Sequence, residues 1–177
     1  LINILPNGDI SDSNVTGSPD NVDLYKNIDE GTTPNSELIG TDETSPQSFE
    51  IALGATPVGT TEITNVNFYI NAKLLGAGTF TGKPKIGSYL TPKAYSFTSS
   101  QGWLNQSWSG SWTKAQIDAM TFMVNTTTTD KSGYMVYSIY CRVTYSSGYS
   151  KVINNISGYK EINGIDIANI SAWNGIS

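Results

Sequence analysis

Two stretches of this chain carry the alternation of long β-strands. From Asn65 to Lys73, the apolar residues Val66, Phe68, Ile70 and Ala72 alternate with Asn65, Asn67, Tyr69, Asn71 and Lys73. A period of two sustained in this way lines one face with apolar groups and leaves the other wet. The run from Gly133 to Tyr145 is longer still. Its spacing predicts Met135, Tyr137, Ile139, Cys141, Val143 and Tyr145 as one continuous apolar face, opposite Tyr134, Val136, Ser138, Tyr140, Arg142 and Thr144. Long strands of this kind, with no helical segment of comparable length, point to an all-β antiparallel sandwich rather than a parallel α/β sheet.

Shorter signals fill in the rest. Phe49, Ile51 and Leu53 share a face within Ser48 to Leu53, and further strands are expected at Lys85 to Leu90, at Ala94 to Thr98 and at Thr121 to Asn125. Residues 1–46 are rich in turn residues: Pro6-Asn7-Gly8-Asp9, Ser18-Pro19-Asp20-Asn21 and Thr33-Pro34-Asn35-Ser36 all read as turns or loops. Brief edge strands are expected between them at Leu24-Tyr25, Ile28 and Leu38-Ile39. One short helical turn lies in Trp112 to Met120, where Thr113 can cap and Gln116, three residues on, completes a capping box.

After Tyr145 the texture changes, which divides the chain into a sandwich domain, 1–146, and a tail, 147–177. In the tail Ile162-Asn163-Gly164-Ile165 recurs as Trp173-Asn174-Gly175-Ile176, with Ile153-Asn154-Asn155-Ile156 as a looser copy. Asn-Gly favours a two-residue hairpin because both central positions need positive φ. A hairpin-rich tail must dock its apolar side on something. Ile162, Ile165, Ile167, Ile170, Trp173 and Ile176 are the candidate assembly residues.

Composition removes several functions. The net charge is −5, the sole arginine is Arg142, and the nine lysines are scattered, so no basic face is expected for nucleic acid. No apolar run approaches the roughly 20 residues that span a bilayer. The chain has no histidine, which excludes His-based acid–base and nucleophile chemistry and leaves little for catalytic zinc. Cys141, the one cysteine, lies on an apolar strand face and is expected to be a buried thiol. The chain opens on Leu1 rather than Met, as expected of a processed chain or of a piece of a longer one.

Carboxylates carry no catalytic pattern. Asp29-Glu30 and Asp42-Glu43 are adjacent pairs, with Asp118, Glu161 and Asp166 far off, and nothing in the spacing assembles a glycosidase pair across a cleft. Asp9, Asp12 and Asn14, or Asp20 with Asp23, could offer oxygens to calcium, but neither group has the EF-hand pattern; Asx turns and caps account for them better. Five Asn-x-Ser/Thr sequons are about what composition alone yields. No catalytic residue, metal or cofactor is expected. The aromatic cluster is more informative. Trp103, Trp108 and Trp112 fall in a stretch of Gly, Ser, Asn and Gln, with Tyr95 upstream; such faces beside amides and hydroxyls suit sugar rings. Trp103, Trp108 and Tyr95 are the candidate glycan contacts, while Trp108 and Trp112 are also placed to cover the end of the sandwich.

Several landmarks recur in a known order: Tyr25-Lys26-Asn27-Ile28-Asp29-Glu30 followed by Leu38-Ile39, Ile63-Thr64-Asn65-Val66, Trp103, then Trp108-Ser109-Gly110-Ser111-Trp112-Thr113 into Ile117-Asp118-Ala119, and Val143-Thr144-Tyr145. Together they resemble a jelly-roll-like β-sandwich found in the virion proteins of tailed bacteriophages, over about residues 5–146. Phe122 followed by Met123 departs from the Phe-Gly of similar domains. The resemblance implies a non-catalytic virion structural protein, in a tail fibre, appendage or head decoration. Its expected place is the virion surface, and its expected partners are sister chains in a homo-oligomer, other virion proteins and host surface glycans. The alternative is a carbohydrate-binding module of a secreted bacterial glycan-active enzyme.

Overall fold

The computed structural model describes residues 2–13, 15–18, 22–41, 46–56, 60–128, 133–147, 161–162 and 165–166. The strands are β1 (Ile2–Ile4), β2 (Pro6–Ser13), β3 (Val15–Ser18), β4 (Leu38–Thr41), β5 (Gln47–Leu53), β6 (Thr60–Leu74), β7 (Gly78–Ile86), β8 (Ser88–Tyr89), β9 (Lys93–Ala94), β10 (Gly102–Thr113), β11 (Thr121–Thr128), β12 (Tyr134–Ser147), β13 (Glu161–Ile162) and β14 (Ile165–Asp166). A 3-10 turn occupies Leu24–Asn27 and one helical turn, α1, Lys114–Asp118. One sheet runs β10-β6-β12-β4-β3, with β1 also on β12; the other runs β2-β5-β11-β7-β8, with β9 also on β7. The ladders are antiparallel. The fold is thus an antiparallel, jelly-roll-like sandwich with one short helical turn, and β13 pairs with β14 in a separate two-stranded sheet.

The core forms where the inward phases of the two sheets meet. Val66, Phe68, Ile70 and Ala72 of β6 are fully buried, as are Phe122 and Val124 of β11. Phe68 stacks on Phe122 across the sandwich, with centroids 3.9 Å apart and planes 12° apart. Trp108 meets both rings edge-on. Gly82 lets the stack close up, because a Cβ there would lie 2.4 Å from the Phe122 ring. The sole thiol, Cys141, is buried on the same floor.

The expected single apolar face of β12 is corrected by a β-bulge. Val136 pairs with Ala72 and Ser138 with Asn71, which leaves Tyr137 as the extra residue. An extra residue reverses which side chains face inward. Tyr134 and Val136 therefore join Ile139, Cys141 and Val143 in the core, while Met135 takes the other phase. The far edge of β12 is filled in three pieces. β1 pairs at Cys141–Val143, Ile28 accepts the Ile139 amide at 3.0 Å, and β4 pairs at Met135–Val136.

Further expectations change. Pro6-Asn7-Gly8-Asp9 is not a turn but the start of β2, which lies at the edge of its sheet. Its pairing with β5 slips between Pro6 and Gly8 and between Asp9 and Ser11; edges and bulges are where sheets accept such residues. Asp9 accepts the Leu24 and Tyr25 amides at 2.6 and 2.9 Å, so it fastens the 3-10 turn. No group of three or more potential ligands is arranged for a metal among the described residues.

The strand expected at Lys85 to Leu90 instead runs from Gly78 to Ile86, straight through Pro84. Pro84 turns its carbonyl away from β11, accepting the Leu90 amide at 2.9 Å. The side without an N–H faces the same way, between β8 and β9, where no ladder bond is needed. The strand expected at Ala94 to Thr98 shortens to β9, although Tyr95 and Phe97 still face inward.

The helical turn follows the sequence closely. Thr113 caps α1, and its capping box with Gln116 is complete. Asp118 accepts both the amide (2.8 Å) and the hydroxyl (2.7 Å) of Thr56, and pairs with Lys114. Burial raises its pKa, but Lys114 and the Thr56 donors outweigh it and hold the carboxyl below its usual range. In the tail, Ile162 pairs with Ile165. Ile167, Ile170, Trp173 and Ile176 lie outside the described residues, as do Asn14, Asp20 and Asp42-Glu43.

Candidate functional site

The outer face of the β10-β6-β12 sheet gathers the polar phases of three strands into one surface. Register sets the rows: Trp103, Asn71 and Ser138; Asn105, Tyr69 and Tyr140; Ser107, Asn67, Arg142 and Asn3; Ser109, Asn65 and Thr144. At its centre Tyr69 and Tyr140 stack, with centroids 4.7 Å apart and planes 4° apart. Trp103 stands edge-on to Tyr140 at 5.3 Å. The Arg142 guanidinium lies 5.0 Å from the Tyr69 centroid and 5.7 Å from that of Tyr140. It is held from the side, since its Nε donates to Asn3 Oδ1 at 3.1 Å.

Amides and hydroxyls frame these rings. Asn67 Nδ2 donates to the Tyr69 hydroxyl at 3.2 Å, and Gln101 Nε2 donates to Asn71 Oδ1 at 2.7 Å. Asn65 exchanges hydrogen bonds with Ser107 and also reaches Ser109. Tyr140 is only 5% exposed, and burial raises its phenol pKa, partly opposed by Arg142. Trp103, Tyr69, Asn67 and Arg142 are partly exposed, and Asn105, Ser107 and Ser109 are open at the rim. The result is an aromatic floor in which Tyr69 and Tyr140 are stacked on one another and Trp103 stands edge-on, with fixed donors and acceptors around it, suited to meet a polyhydroxylated ring.

Two of the sequence-derived contacts are removed from this surface. Trp108 points into the core at 5% exposure and donates its indole N–H to the Thr91 carbonyl at 2.9 Å. Tyr95 is 4% exposed, donates its hydroxyl to the Phe68 carbonyl at 3.3 Å, and packs against Phe80 and Phe97. Both belong to the inward phase of their segments, so neither has a face to offer a ligand. Trp103 alone of the three lies on the outer surface. Tyr69, Tyr140 and Arg142 were missed as site residues. Their signal was an aromatic and a cation in the wet phase of the two strongest strands, and only the register brings them together.

A loop closes one side of the floor. Ser138 Oγ donates to the Gly31 carbonyl at 2.7 Å. Beside it both carboxyl oxygens of Glu30 are enclosed. Burial first, then Glu37 and Asp29, push the Glu30 pKa up to about 7. The folded state therefore keeps this proton up to about pH 7, whereas the unfolded chain releases it near the usual 4.5. Stability contributed by the protonated group falls as pH rises through that window. The melting temperature is expected to drop between pH 5 and pH 8, and Glu30→Gln to flatten the drop and melt above the parent at pH 8. A parent profile that is flat or rising over this range would overturn the assignment.

No family model matches the sequence, and no curated protein matches it. Among solved structures, the chain is similar to the C-terminal family 6 carbohydrate-binding module of a laminarinase from Zobellia galactanivorans. The identity is 14% over 81% of this chain and 98% of that one, with a TM-score of 0.47. It is also similar to a family 35 module from Paenibacillus barcinonensis (12%, 82% and 99%, TM-score 0.45). A third likeness is to the enzymatically active domain of tailspike protein 4 of bacteriophage CBA120 (8%, 80% of this chain but 19% of that one, TM-score 0.44). Likeness at this level concerns the course of the chain and carries no argument about function.

Proposed function

We propose that the chain is a non-catalytic glycan-binding domain and that the outer face of the β10-β6-β12 sheet is its binding surface. The carrying observation is the row geometry. Trp103 and Tyr69, both partly exposed, and the buried Tyr140 between their contacts form one aromatic floor, bordered by Asn67, Asn105, Ser107 and Arg142. Sugar rings offer an apolar C–H face and a rim of hydroxyls, and this surface offers rings and amides in the same arrangement. Isolated contacts of this kind are weak, and repeated presentation of the domain or of the ligand strengthens them through avidity.

Trp103→Ala tests the reading. Partly exposed at the border of the floor, Trp103 is expected to be removable with little loss of stability. Affinity electrophoresis on a panel of plant, algal and bacterial polysaccharides should reveal at least one ligand class. The variant should bind it about tenfold more weakly with an unchanged circular dichroism spectrum. Equal binding by parent and variant would place the ligand elsewhere, and no binding to any polysaccharide would end the reading. Light scattering then separates the two settings. A module of a secreted enzyme is monomeric with or without residues 147–177, whereas a virion appendage is an oligomer that loses its association with them.

A further inference from the structure

We infer that this surface takes an acidic sugar, with Arg142 receiving the carboxylate of a uronic acid; this rests on the glycan reading of the same face. Arg142 is the only arginine in the chain, and the fold places it over the aromatic floor. Its Nε is occupied by Asn3, which fixes the plane of the guanidinium and leaves the terminal amino groups for a further partner. Neither described ion pair involves it: these are Lys26 with Asp23 and Lys114 with Asp118. An arginine steadied by two rings and an amide is pre-organised for two-pronged binding of a planar carboxylate.

The charge of the face agrees. The chain carries a net charge of −5. Yet in the rows from Lys73 to Asn65, the outward side chains of β6, β10 and β12 include two cations, Lys73 and Arg142, and no carboxylate. Lys73 lies 5.6 Å from the Tyr137 ring, at the far end of the rows from Arg142. Glu30, in the loop tied to Ser138, keeps both oxygens enclosed, so it presents no anion to a ligand. Centroid steps of 5.3 Å from Trp103 to Tyr140 and 5.7 Å from Tyr140 to Arg142 are each about the length of one pyranose. A sugar resting against Trp103 would therefore place the acid group of the next unit or two at the guanidinium.

The test turns on a pair of polymers that share one backbone and differ in charge. Polygalacturonate and its fully methyl-esterified form share one backbone, and alginate, glucuronan, neutral galactan and mannan extend the panel. The parent chain is expected to bind at least one uronate polymer about tenfold or more tighter than uncharged counterparts, with the preference shrinking as salt is raised. Arg142→Gln should lose the preference while keeping the residual binding to the esterified form, and Arg142→Lys should keep only part of it. Trp103→Ala should weaken binding of both forms. Binding of neutral polymers with no preference for the acids would overturn this inference and leave the glycan reading standing; binding of no polymer would overturn both. Retention of the preference by Arg142→Gln, or equally tight binding of dextran sulfate, would also overturn the carboxylate assignment.

Discussion

Phe122→Ala is expected to destabilise the domain by about 3–5 kcal/mol, the range for deleting a fully enclosed aromatic ring. Phe122 has no exposed surface and stacks on Phe68 at 3.9 Å, with Trp108 edge-on at 6.3 Å. Phe68 and Phe122 themselves sit on β6 and β11, each paired on both sides, and these strands cannot move in to fill the space. Gly82 adds no side chain from the neighbouring strand, so the ring itself is what closes the gap. Against a total stability of about 5–15 kcal/mol for a domain, such a loss brings the fold near its limit. Urea denaturation should show a lower midpoint with an unchanged slope, and Phe122→Leu should recover about half of the loss. A midpoint shift worth less than about 1 kcal/mol would mean that the stack does not hold the sheets together.

The residues behind that stack show what the sequence makes readable. Val66 to Ala72 announced an inward face by alternation alone, and Thr113 with Gln116 announced a cap, because both patterns are set by neighbours within a few residues. Features that depend on a partner strand were not readable. The bulge at Tyr137 exists because β12 pairs with β6 in one register before it and another after it. Pro6 and Gly8 look like a turn until β2 is known to be an edge strand. The site divides in the same way. Trp103 stood out because three tryptophans crowd one polar stretch. Their division into one outward and two inward rings follows from the strand phase of β10, and Trp108 fell on the inward side. Tyr69 and Arg142 come from segments about seventy residues apart, and only the β6–β12 ladder sets one over the other.

That dependence on register makes Tyr69 the residue whose loss should damage binding most. Its ring carries the Arg142 guanidinium at 5.0 Å, stacks on Tyr140 at 4.7 Å, and ends in a hydroxyl held by Asn67 at 3.2 Å. Tyr69→Ala removes the centre of the floor and frees the arginine and the amide from their fixed positions. Affinity for the bound polysaccharide is expected to fall about thirtyfold or more, the effect of losing a central aromatic anchor. The stability cost should stay near 1–2 kcal/mol, because Tyr69 is partly exposed and loses mainly a ring–ring contact. Tyr69→Phe separates the two contributions. It keeps the floor and loses only the hydrogen bond with Asn67, so its affinity should remain within about threefold of the parent. Isothermal titration with the same polymer, beside a melting curve for each variant, reads both effects. If Tyr69→Ala binds as the parent does, the ligand does not rest on this face. If Tyr69→Phe is as damaged as Tyr69→Ala, the hydroxyl rather than the ring makes the contact, and the surface recognises its ligand by hydrogen bonding instead of stacking.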